Sequence, residues 1–599
     1  MTVPTLTRRP SGGGRGRPVA RTSARPVIPP DRAGRRSRRT HAGAPPLRWR
    51  LVTLVVVLGA AFSTIIVRLV EVQGVSADRF ARFGRSQRIQ VVELPALRGS
   101  ILDRDGVELA LSISRPTVWA DPSQVTDPAG SARALSPLLR LDQSELRASL
   151  SDAAAFVYLA RRVDDGTAAA VRALDLPGVH IMDEPTRVLP AGAVAGAVVG
   201  HVGVDHDGLS GIELQYDESL AGTPGEMVVE RDPSGRDIPG SVRQSKRPDR
   251  GGDLRLTLDR DLQFITEQAL AAQIVGAKAK SGVALVMDPR TGEILAMASV
   301  VAAKDQPPRP ADYNKAVVDV YEPGSVMKLV TLAGALEEGA IRMSDVLSVA
   351  DRITVAGTTF LDSEPHPVRQ WTATDIMAQS SNAGAIAVAQ RLGADGLDRY
   401  LRNFGLAGRT GLEFPGEATG IVPSLDDWSG TSLPTLAIGY GLAITPLHML
   451  AAYNTVANGG VYVAPSLVAG DVGGAAQRRV VSPETASRVT AMLTEVVRAG
   501  TGTTAAVPGY TVAGKTGTAR KAGADGRYEE GAYIASFAGF LPAEAPRLSA
   551  IVVLDEPQPY YGGLASGPVF SELATYAARR YQVPTRPAAN LAPSSATRS

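Results

Sequence analysis

A serine and a lysine three residues apart could activate a hydroxyl group for nucleophilic attack. Ser325 and Lys328 stand in the stretch Tyr-Glu-Pro-Gly-Ser-Val-Met-Lys, residues 321–328. Residues three apart lie on one helix face, and a neutral lysine amine there can take the serine proton. The Pro-Gly pair predicts a helix start near Gly324, where unpaired N–H groups favour developing negative charge. The pattern therefore predicts a serine nucleophile with a lysine base.

Lysine usage in the whole chain favours this interpretation over a chance match. Only eight lysines occur among the 599 residues, and Lys328 is the only one with a serine three residues before it. The other basic side chains are mostly arginines, whose guanidinium groups keep their proton near neutral pH. A lysine at this position therefore indicates that the chemistry needs an amine able to lose its proton.

Two further polar patches lie downstream. Ser380 and Asn382 stand in a connection between two helical patterns, where a hydroxyl and an amide can project together into a cleft. Lys515 follows a strand pattern over 510–514, and strand alternation puts Lys515 and Gly517 on one face. The opposite face then carries two threonine hydroxyls, and Gly517 lets a substrate backbone approach closely.

Length and composition bound the fold class and exclude several chemistries. A chain of 599 residues is too long for one hydrophobic core, and 44% hydrophobic with 21% charged residues is ordinary for folded protein. There is no cysteine, which excludes disulfide scaffolds, cysteine-ligated metals and thiol catalysis. The six histidines form no His-Glu-x-x-His pattern, so no metal and no cofactor are expected.

The N-terminal region predicts a membrane anchor. Residues 1–50 hold 13 arginines and one acid, a net charge of +12, which leaves −9 for residues 51–599. The basic pI therefore comes from this tail and does not indicate a nucleic-acid-binding body. Residues 1–48 are poor in large apolar side chains and are predicted to be disordered. The uncharged run Leu51–Val67 is the centre of a transmembrane helix predicted over 49–72.

The arginine excess also predicts the orientation of this anchor. Basic residues flanking a span stay on the cytoplasmic side, which puts the tail in the cytoplasm and the rest of the chain outside the plasma membrane. A cleaved signal peptide and a buried soluble helix are the alternatives. The apolar run exceeds the roughly 7–15 residues of a signal-peptide core, which favours a single-pass anchor.

Residues 73–252, named the pedestal here, are predicted to form a non-catalytic α+β domain in which short apolar stretches alternate with turns. Arg98, Asp103 and Arg104 bring three fixed charges to a segment that ends in an Asp-Gly turn. These charges belong either to a solvated hairpin loop or to an ion-paired core. Glu213 is the candidate acid for such a core.

Residues 253–582, named the C-terminal domain here, are predicted to be α+β with an antiparallel sheet flanked by helices. The predicted elements are a capped helix start at 257–263, a hairpin of strands 283–287 and 294–298, a mostly helical region over about 325–460, strands Tyr510–Gly514, Tyr533–Phe540 and Leu548–Leu554, and an amphipathic helix over 570–581. The last three strands have no helix between them and should pair antiparallel. Residues 221–252 are predicted to be a linker, and 583–599 a disordered tail.

The three polar patches, in this order within one domain, resemble those of the class B penicillin-binding proteins, and most closely the division-type (FtsI-like) peptidoglycan D,D-transpeptidases. The resemblance runs from the membrane span to about residue 580. Further matching motifs are Arg98-Gly-x-Ile-x-Asp103-Arg104-x-Gly106, Gly208-x-x-Gly211-Ile-Glu213, Asp288-Pro-x-Thr-Gly292-Glu293 and Ile438-Gly439-Tyr440-Gly441 with Thr445-Pro446-Leu447. Tyr440 is typical of division enzymes, whereas His448 departs from the glutamine of many relatives.

The resemblance implies a role for each catalytic residue. Ser325 attacks the penultimate D-Ala carbonyl of a stem peptide and expels the terminal D-Ala, while Lys328 takes its proton. Ser380 relays protons to the leaving amine, and Asn382 holds the peptide amide. Backbone N–H groups of Ser325 and Thr518 form the oxyanion hole.

The same resemblance assigns binding of the substrate carboxylate to Lys515, Thr516 and Thr518, with Gly517 between the two threonines. Two lysines that face one cleft repel each other, which lowers the pKa of one and leaves it neutral enough to act as a base. Acylation followed by aminolysis with a second stem peptide would make a cross-link in a ping-pong scheme.

The resemblance further implies a transpeptidase domain of the penicillin-binding and serine β-lactamase type, a dimerisation-type pedestal stabilised by Arg98, Asp103, Arg104 and Glu213, and inhibition by β-lactams. The pedestal is expected to dock on a polytopic membrane glycosyltransferase within a division complex. No glycosyltransferase domain fits upstream, and no nucleic-acid partner is expected.

Three other functions stay open at this point. An elongation-type transpeptidase would carry the same patches. A D,D-carboxypeptidase or serine β-lactamase would transfer the acyl group to water, but such hydrolases need neither the pedestal nor the anchor. A non-catalytic β-lactam-binding scaffold would not need all three patches intact.

Overall fold

The computed structural model describes residues 47–75, 78, 89–154, 156–230, 243–470, 477–523 and 526–585. Predictions for the two tails therefore fall almost wholly outside the described residues. The chain divides into two compact units, residues 1–87 and 88–599.

The first unit holds one long apolar helix. Leu47–Val70 is α-helical and continues as a π-helical turn over Glu71–Val75. The segment Arg48–Gly74 is long and apolar enough to cross a bilayer, and side chains such as Val56 are exposed. A helix satisfies its backbone hydrogen bonds internally, which a lipid environment requires. Among the residues that the structure describes, this is one helix of spanning length, as the sequence predicts.

The pedestal is built around one long strand. Glu108–Ala120 pairs antiparallel along its length with Val179–Val188, and at its two ends with Val157–Ala160 and Ile101–Leu102. The strand Ile101–Leu102 also pairs in parallel with Leu254–Arg255. The first residues of the C-terminal domain thus join the pedestal sheet.

Helices complete the pedestal. They are Pro128–Leu139, Gln143–Leu150, Asp165–Ala173, Gly196–Val199, Gly211–Gln215 and Asp217–Ala221. Each of the three longer helices begins after an aspartate that accepts a backbone N–H, which satisfies otherwise unpaired donors. Leu135, Leu146 and Val171 from these helices pack with Val118 of the long strand in a small core.

The predicted linker at 221–252 is wrong over part of its length. Gly225–Glu230 and Arg243–Lys246 are strands, and they form a three-stranded antiparallel sheet with Ile89–Leu94. A glycine- and charge-rich sequence can still form a ladder when a distant strand supplies its backbone partners.

A six-stranded antiparallel sheet forms the centre of the C-terminal domain. From one edge to the other, its strands are Gln306–Pro310, Ile294–Ala303, Ser281–Met287, Leu548–Asp555, Tyr528–Leu541 and Ala513–Ala522. The predicted hairpin and the predicted antiparallel pairing are confirmed. Shorter strand pairs are Leu347–Val349 with Arg369–Trp371, Arg352–Val355 with Thr358–Leu361, and Val461–Val463 with Gln477–Arg479.

Both faces of this sheet are buried. Along Ser281–Met287, Val283 and Leu285 belong to one hydrophobic core, whereas Ala284 and Val286 belong to another, as the two-residue period of a strand requires. The helices of the domain are Arg260–Gly276, Lys315–Val318, Lys328–Glu337, Ala373–Ala378, Asn382–Leu392, Ala394–Asn403, Ser432–Ala437, Pro446–Ala457, Pro483–Ala499, Gly562–Ala565 and Gly567–Arg580. The first and last of these pack in the second core.

The beginning and the end of the C-terminal domain meet at the pedestal. The Tyr581 hydroxyl donates to Asp259 Oδ2 at 3.0 Å and accepts a hydrogen bond from Arg104 at 3.3 Å. Asp103 accepts the backbone N–H groups of Asp105 and Val107 at 2.9 and 2.8 Å, which shapes the turn that presents Arg104. Two of the charges in the pedestal motif therefore build this junction.

Candidate active site

Ser325 lies where the sequence predicts a helix start. A 3₁₀ turn over Gly324–Met327 runs directly into the α-helix Lys328–Glu337. The Tyr453 hydroxyl donates to the carbonyl of Val326 at 3.0 Å and anchors this turn from the neighbouring helix. Ser325 thus stands on a buried, supported turn, one helical turn before Lys328.

The Lys328 amine joins this turn to residues 380–382, the Ser-Ser-Asn patch. Its side chain is fully buried, and Nζ donates to the carbonyl of Ser380 at 2.5 Å and to Oδ1 of Asn382 at 2.7 Å. The Ser380 hydroxyl lies 3.4 Å from the same nitrogen. Ser380 has a left-handed backbone with φ of +58°, which orients its carbonyl toward the amine and is strained for a non-glycine residue.

Helix capping holds the Ser-Ser-Asn patch in place. Ser381 caps the helix Asn382–Leu392 through the N–H of Gly384. Asp362, 20 residues earlier in the chain, accepts the backbone N–H of Asn382 at 2.6 Å and of the next residue at 2.9 Å. A carboxylate at a helix N-terminus is favoured by the helix dipole. Asp362 is a positioning residue that no local sequence signal identifies.

Residues 515–518, the Lys-Thr-Gly-Thr patch, lie within an edge strand, whereas the sequence predicts that they follow a strand. The strand runs over Ala513–Ala522, so the predicted boundaries of 510–514 are wrong. Lys515 is fully buried, and its amine curls back to the carbonyl and hydroxyl of Thr516 at 3.1 and 3.3 Å. The Thr516 hydroxyl also contacts that of Thr501 at 2.7 Å, and Thr518 Oγ1 accepts an N–H from Gly562 at 3.0 Å.

Close packing explains Gly517 differently from the sequence argument. A Cβ atom there would stand 2.3 Å from Ser536 Oγ and 3.1 Å from the carbonyl of Pro323. The glycine therefore lets the strand approach its neighbour and the turn that carries Ser325, and the expected space for a substrate backbone is not its main reason. Gly439 is also required, because its φ is +86° and a Cβ atom would meet the Gly324 carbonyl at 2.1 Å.

Burial changes the proton affinity of both lysines. Burial lowers the pKa of Lys328 to about 7, and Asp362 opposes this shift. Burial, and then the nearby Lys328, lower the pKa of Lys515. Desolvation is therefore the main cause at both lysines, and the expected repulsion between them adds to it at Lys515. Lys328 can be neutral near pH 7, and the bound carboxylate of a substrate would favour the ammonium form of Lys515.

An acid and two tyrosines support the serine turn from outside. Glu322 accepts the N–H of Gly441 at 2.7 Å and the hydroxyl of Tyr528 at 2.8 Å. The rings of Tyr440 and Tyr528 meet edge to face at 6.1 Å. In the sequence, Glu322 is marked only by its position three residues before Ser325.

The pedestal motif forms an ion-paired core rather than a solvated loop. Arg98 Nε donates to Glu213 at 2.6 Å, and Arg98 Nη1 donates to Asp217 at 2.6 Å. Arg187 Nε donates to the other oxygen of Glu213 at 2.7 Å. Two buried guanidinium groups thus share one buried carboxylate. Asp103 and Arg104, by contrast, belong to the junction with the C-terminal domain.

The remaining titratable groups do not form a metal centre within the described residues, where no three His, Asp or Glu side chains converge as ligands. His448 is buried in a capping box with Thr445, and its Nε2 lies 2.9 Å from the carbonyl of Gly408. His448, which departs from the family pattern, therefore serves to cap a helix. None of these contacts joins it to the Lys328 or Lys515 amine.

Comparisons with known proteins agree with this fold and this set of residues. Residues 282–575 match the penicillin binding protein transpeptidase domain, and residues 93–256 match the penicillin-binding protein dimerisation domain. The chain belongs to the penicillin-binding protein transpeptidase family.

Curated relatives of this chain are similar over most of its length. The peptidoglycan D,D-transpeptidase FtsI of Escherichia coli K12 is 34% identical, over 88% of this chain and 91% of the relative. The penicillin-binding protein PbpB of Mycobacterium tuberculosis is 36% identical, over 90% of this chain and 85% of the relative.

Solved structures show the same fold. A peptidoglycan synthetase from Bifidobacterium adolescentis aligns with a TM-score of 0.67 at 30% identity, over 84% of this chain and 98% of that one. Penicillin binding protein 3 from Mycobacterium tuberculosis, complexed with aztreonam, aligns with a TM-score of 0.63 at 31% identity, over 83% and 98%.

Proposed function

We propose that this protein is a serine-type peptidoglycan D,D-transpeptidase that cross-links stem peptides and is acylated by β-lactams. The observation that carries the proposal is the buried Lys328 amine. It stands one helical turn from Ser325, donates only to neutral oxygens of Ser380 and Asn382, and has a pKa of about 7. An amine in this setting can accept the proton of a serine hydroxyl near neutral pH.

The reaction follows from this arrangement. Ser325 Oγ bonds to the carbonyl carbon of the penultimate D-Ala while its proton passes to Lys328. The peptide C–N bond breaks, and the leaving amine of the terminal D-Ala gains a proton through the Ser380 hydroxyl. The amine of a second stem peptide then attacks the ester carbonyl, the new amide C–N bond forms as the bond between that carbon and Ser325 Oγ breaks, and the proton lost by the amine returns to Ser325 Oγ.

Substrate binding would use the strand beside the serine. The Lys515 ammonium with the hydroxyls of Thr516 and Thr518 would hold the terminal carboxylate, because charge-assisted hydrogen bonds to carboxylates are strong. Asn382 would hold the peptide amide. Backbone N–H groups of Ser325 and Thr518 would stabilise the tetrahedral oxyanion.

The test has two stages on the purified full-length chain. Fluorescent penicillin should label the wild type and not Ser325→Ala, with circular dichroism confirming that the variant folds. Mass spectrometry of donor and acceptor stem peptides should then detect a new amide. Release of the free acid alone would replace this proposal with a carboxypeptidase, and labelling without any turnover of stem peptides would replace it with a non-catalytic β-lactam-binding scaffold. Absence of labelling would reject acylation of Ser325 by β-lactams.

The cellular setting is the second part of the proposal. We infer a septal role, supported by the similarity to FtsI and by Tyr440, and docking of the pedestal on a polytopic glycosyltransferase of the division complex. Depletion of the protein should give filamentous cells without completed septa, whereas rounded cells would indicate a role in elongation. The docking part fails if Glu213→Ala, once shown to fold and label normally, still supports polymerase-coupled cross-linking.

The topology and the domain boundaries complete the proposal. The arginine asymmetry about the apolar helix supports a cytoplasmic tail over 1–48, an anchor over 49–72 and an extracytoplasmic pedestal and C-terminal domain, over 73–252 and 253–582. Protease added to spheroplasts should digest the chain beyond about residue 75 and spare the tail. Digestion of the tail, or a mature N-terminus near Phe62, would overturn the orientation.

A further inference from the structure

The pedestal contains a small polar cavity that the proposed reaction does not use. Its volume is about 190 Å³, and its lining includes Arg162, Arg187, His206 and Glu213. His201 stands at the exposed rim, so the cavity is accessible from solvent. The cavity lies in the pedestal, in a different domain from Ser325.

Three of the residues that line this cavity each have a buried nitrogen atom without a partner. Arg162 Nε, Arg187 Nη2 and His206 Nε2 are each buried and make no hydrogen bond to any part of the chain that the structure describes. The Arg187 side chain is only 7% exposed. Buried polar atoms are nearly always hydrogen-bonded, and leaving one unpaired is costly. Three such atoms on one cavity indicate that the cavity receives a hydrogen-bond acceptor.

The charges around the cavity favour an anionic acceptor. Four arginines form ion pairs here with three carboxylates, and these residues are Arg98, Arg161, Arg162, Arg187, Glu184, Glu213 and Asp217. Asp205 also acts on Arg161, so the charges of the cluster nearly balance, but Arg162 and Arg187 still have N–H groups that these carboxylates do not use. Burial lowers the pKa of Arg187, and the nearby Arg98 and Arg250 act in the same direction, although Glu213 opposes the shift.

We propose that this cavity binds one oxyanion, a carboxylate or a phosphate group, through Arg162 Nε–H, Arg187 Nη2–H and, as its Nε2–H tautomer, His206. Guanidinium groups match the planar or tetrahedral oxygens of these anions better than a single water does, because they offer several N–H groups in a fixed fork. Burial lowers the pKa of His206, so the ring is neutral and adds a donor without adding charge.

The chain supplies a matched pair of variants to test this site. Arg161 and Arg162 are adjacent, both pair with Glu184, and their side chains are 33% and 32% exposed. Only Arg162 lines the cavity and has an unpaired buried nitrogen. Arg161→Gln and Arg162→Gln therefore remove the same charge from the same carboxylate, but only the second removes a proposed ligand.

The experiment titrates the full-length chain in detergent at constant ionic strength, first with inorganic phosphate and then with acetate. Isothermal titration calorimetry measures binding, and the rise in the thermal unfolding temperature checks it, since a ligand that binds only the folded state stabilises it. We expect saturable binding in the wild type and in Arg161→Gln, and affinity at least about tenfold weaker in Arg162→Gln. The anion that binds more tightly identifies phosphate or carboxylate as the source.

Two outcomes overturn the proposal. One is the absence of saturable binding by either anion to the wild type. The other is equal binding in Arg161→Gln and Arg162→Gln, which would mean a general salt effect. If Arg162→Gln does not fold, His206→Phe takes its place, because it removes the third donor and fills the cavity. Unchanged anion binding in His206→Phe would equally reject the site.

Penicillin labelling in parallel keeps this test separate from the proposed transpeptidase activity. Labelling of Ser325 should be equal in the wild type and both arginine variants, because the cavity lies outside the C-terminal domain. A chain that binds phosphate but fails to label would contradict the proposed function alone.

Discussion

The pedestal core and the active-site cleft both bury basic side chains, but they treat the charge in opposite ways. In the pedestal, Arg98 and Arg187 share the carboxylate of Glu213 at 2.6 and 2.7 Å. In the cleft, the hydrogen bonds of the Lys328 and Lys515 amines go to carbonyl, amide and hydroxyl oxygens, none of which carries charge.

The residue types explain the difference. Guanidinium keeps its proton under nearly all conditions, so a buried arginine needs an anion and in return fixes a structure. An amine can respond to burial by giving up its proton, which leaves a base where none would exist in water. The pedestal thus uses its arginines as permanent charges, whereas the cleft uses Lys328 as a proton carrier and Lys515 as an amine that is charged when a carboxylate binds.

Replacing Lys328 with arginine should produce the largest loss of acylation rate, because it puts into the cleft a guanidinium that keeps its proton, as the arginines of the pedestal do. Lys328→Arg keeps a cation but removes the base, so acylation by labelled penicillin should fall by at least about 10²–10⁴-fold. Lys515→Arg should lose less, since guanidinium can still bind a carboxylate. Equal losses would mean that Lys515 also transfers protons, and a milder loss at Lys328 would reassign the base.

Removing the shared carboxylate should be the next largest effect. Glu213→Ala leaves two buried guanidinium groups without their counter-charge, which should lower the free energy of unfolding by about 3–5 kcal/mol. Thermal unfolding of the full-length chain measures the loss, with Asp217→Ala as the more exposed comparison. A Glu213→Ala chain as stable as the wild type would show that the ion pairs do not hold the pedestal together.

The pH dependence of acylation sharpens the contrast. Lys328 must be neutral to accept the serine proton, and its pKa is about 7. The neutral fraction therefore falls as the pH drops below 7, and the acylation rate should decrease about tenfold per pH unit there and level off above about pH 8. Second-order acylation rates from pH 5 to 9 test this, and a profile flat through pH 7 would exclude Lys328 as the titrating base.

The smallest expected effect tests Asp362, whose charge acts on Lys328. Asp362 raises the pKa of Lys328, so Asp362→Asn should move the midpoint of the acylation profile to lower pH. The asparagine oxygen can still accept the N–H groups of the capped helix, so the rate at pH 8 should change by less than about tenfold. An unchanged midpoint would mean that the charge of Asp362 does not reach the amine, and an upward move would contradict the direction assigned to this charge.

The parts of the site that depend on local geometry could be predicted from the sequence. The spacing of Ser325 and Lys328 requires only a helix, and the structure has one beginning at that turn. Asp362 and Thr501 could not be predicted, because they lie 20 and 15 residues from the residues they contact and belong to unremarkable stretches. Their roles come from tertiary packing.

The strand boundaries predicted from the sequence are wrong for the same physical reason. The stretch from Lys515 to Lys521 has no clear alternation of apolar and polar residues, yet it is a strand because Tyr528–Leu541 pairs with it along its length. Strand propensity depends on such neighbours more than on the segment itself. The strands in the predicted linker 221–252 were missed in the same way, since Ile89–Leu94 lies far away in sequence.

The hydrogen bond between Tyr581 and Asp259 has a consequence for how such a chain can be rearranged. It brings the first and last helices of the C-terminal domain together at one point, next to Arg104. A domain whose ends are adjacent can be cut out, transplanted or circularly permuted without breaking its interior. The pedestal should therefore accept exchange of the whole C-terminal domain with that of a relative, provided that the incoming domain brings an aspartate and a tyrosine that match Arg104 of the pedestal.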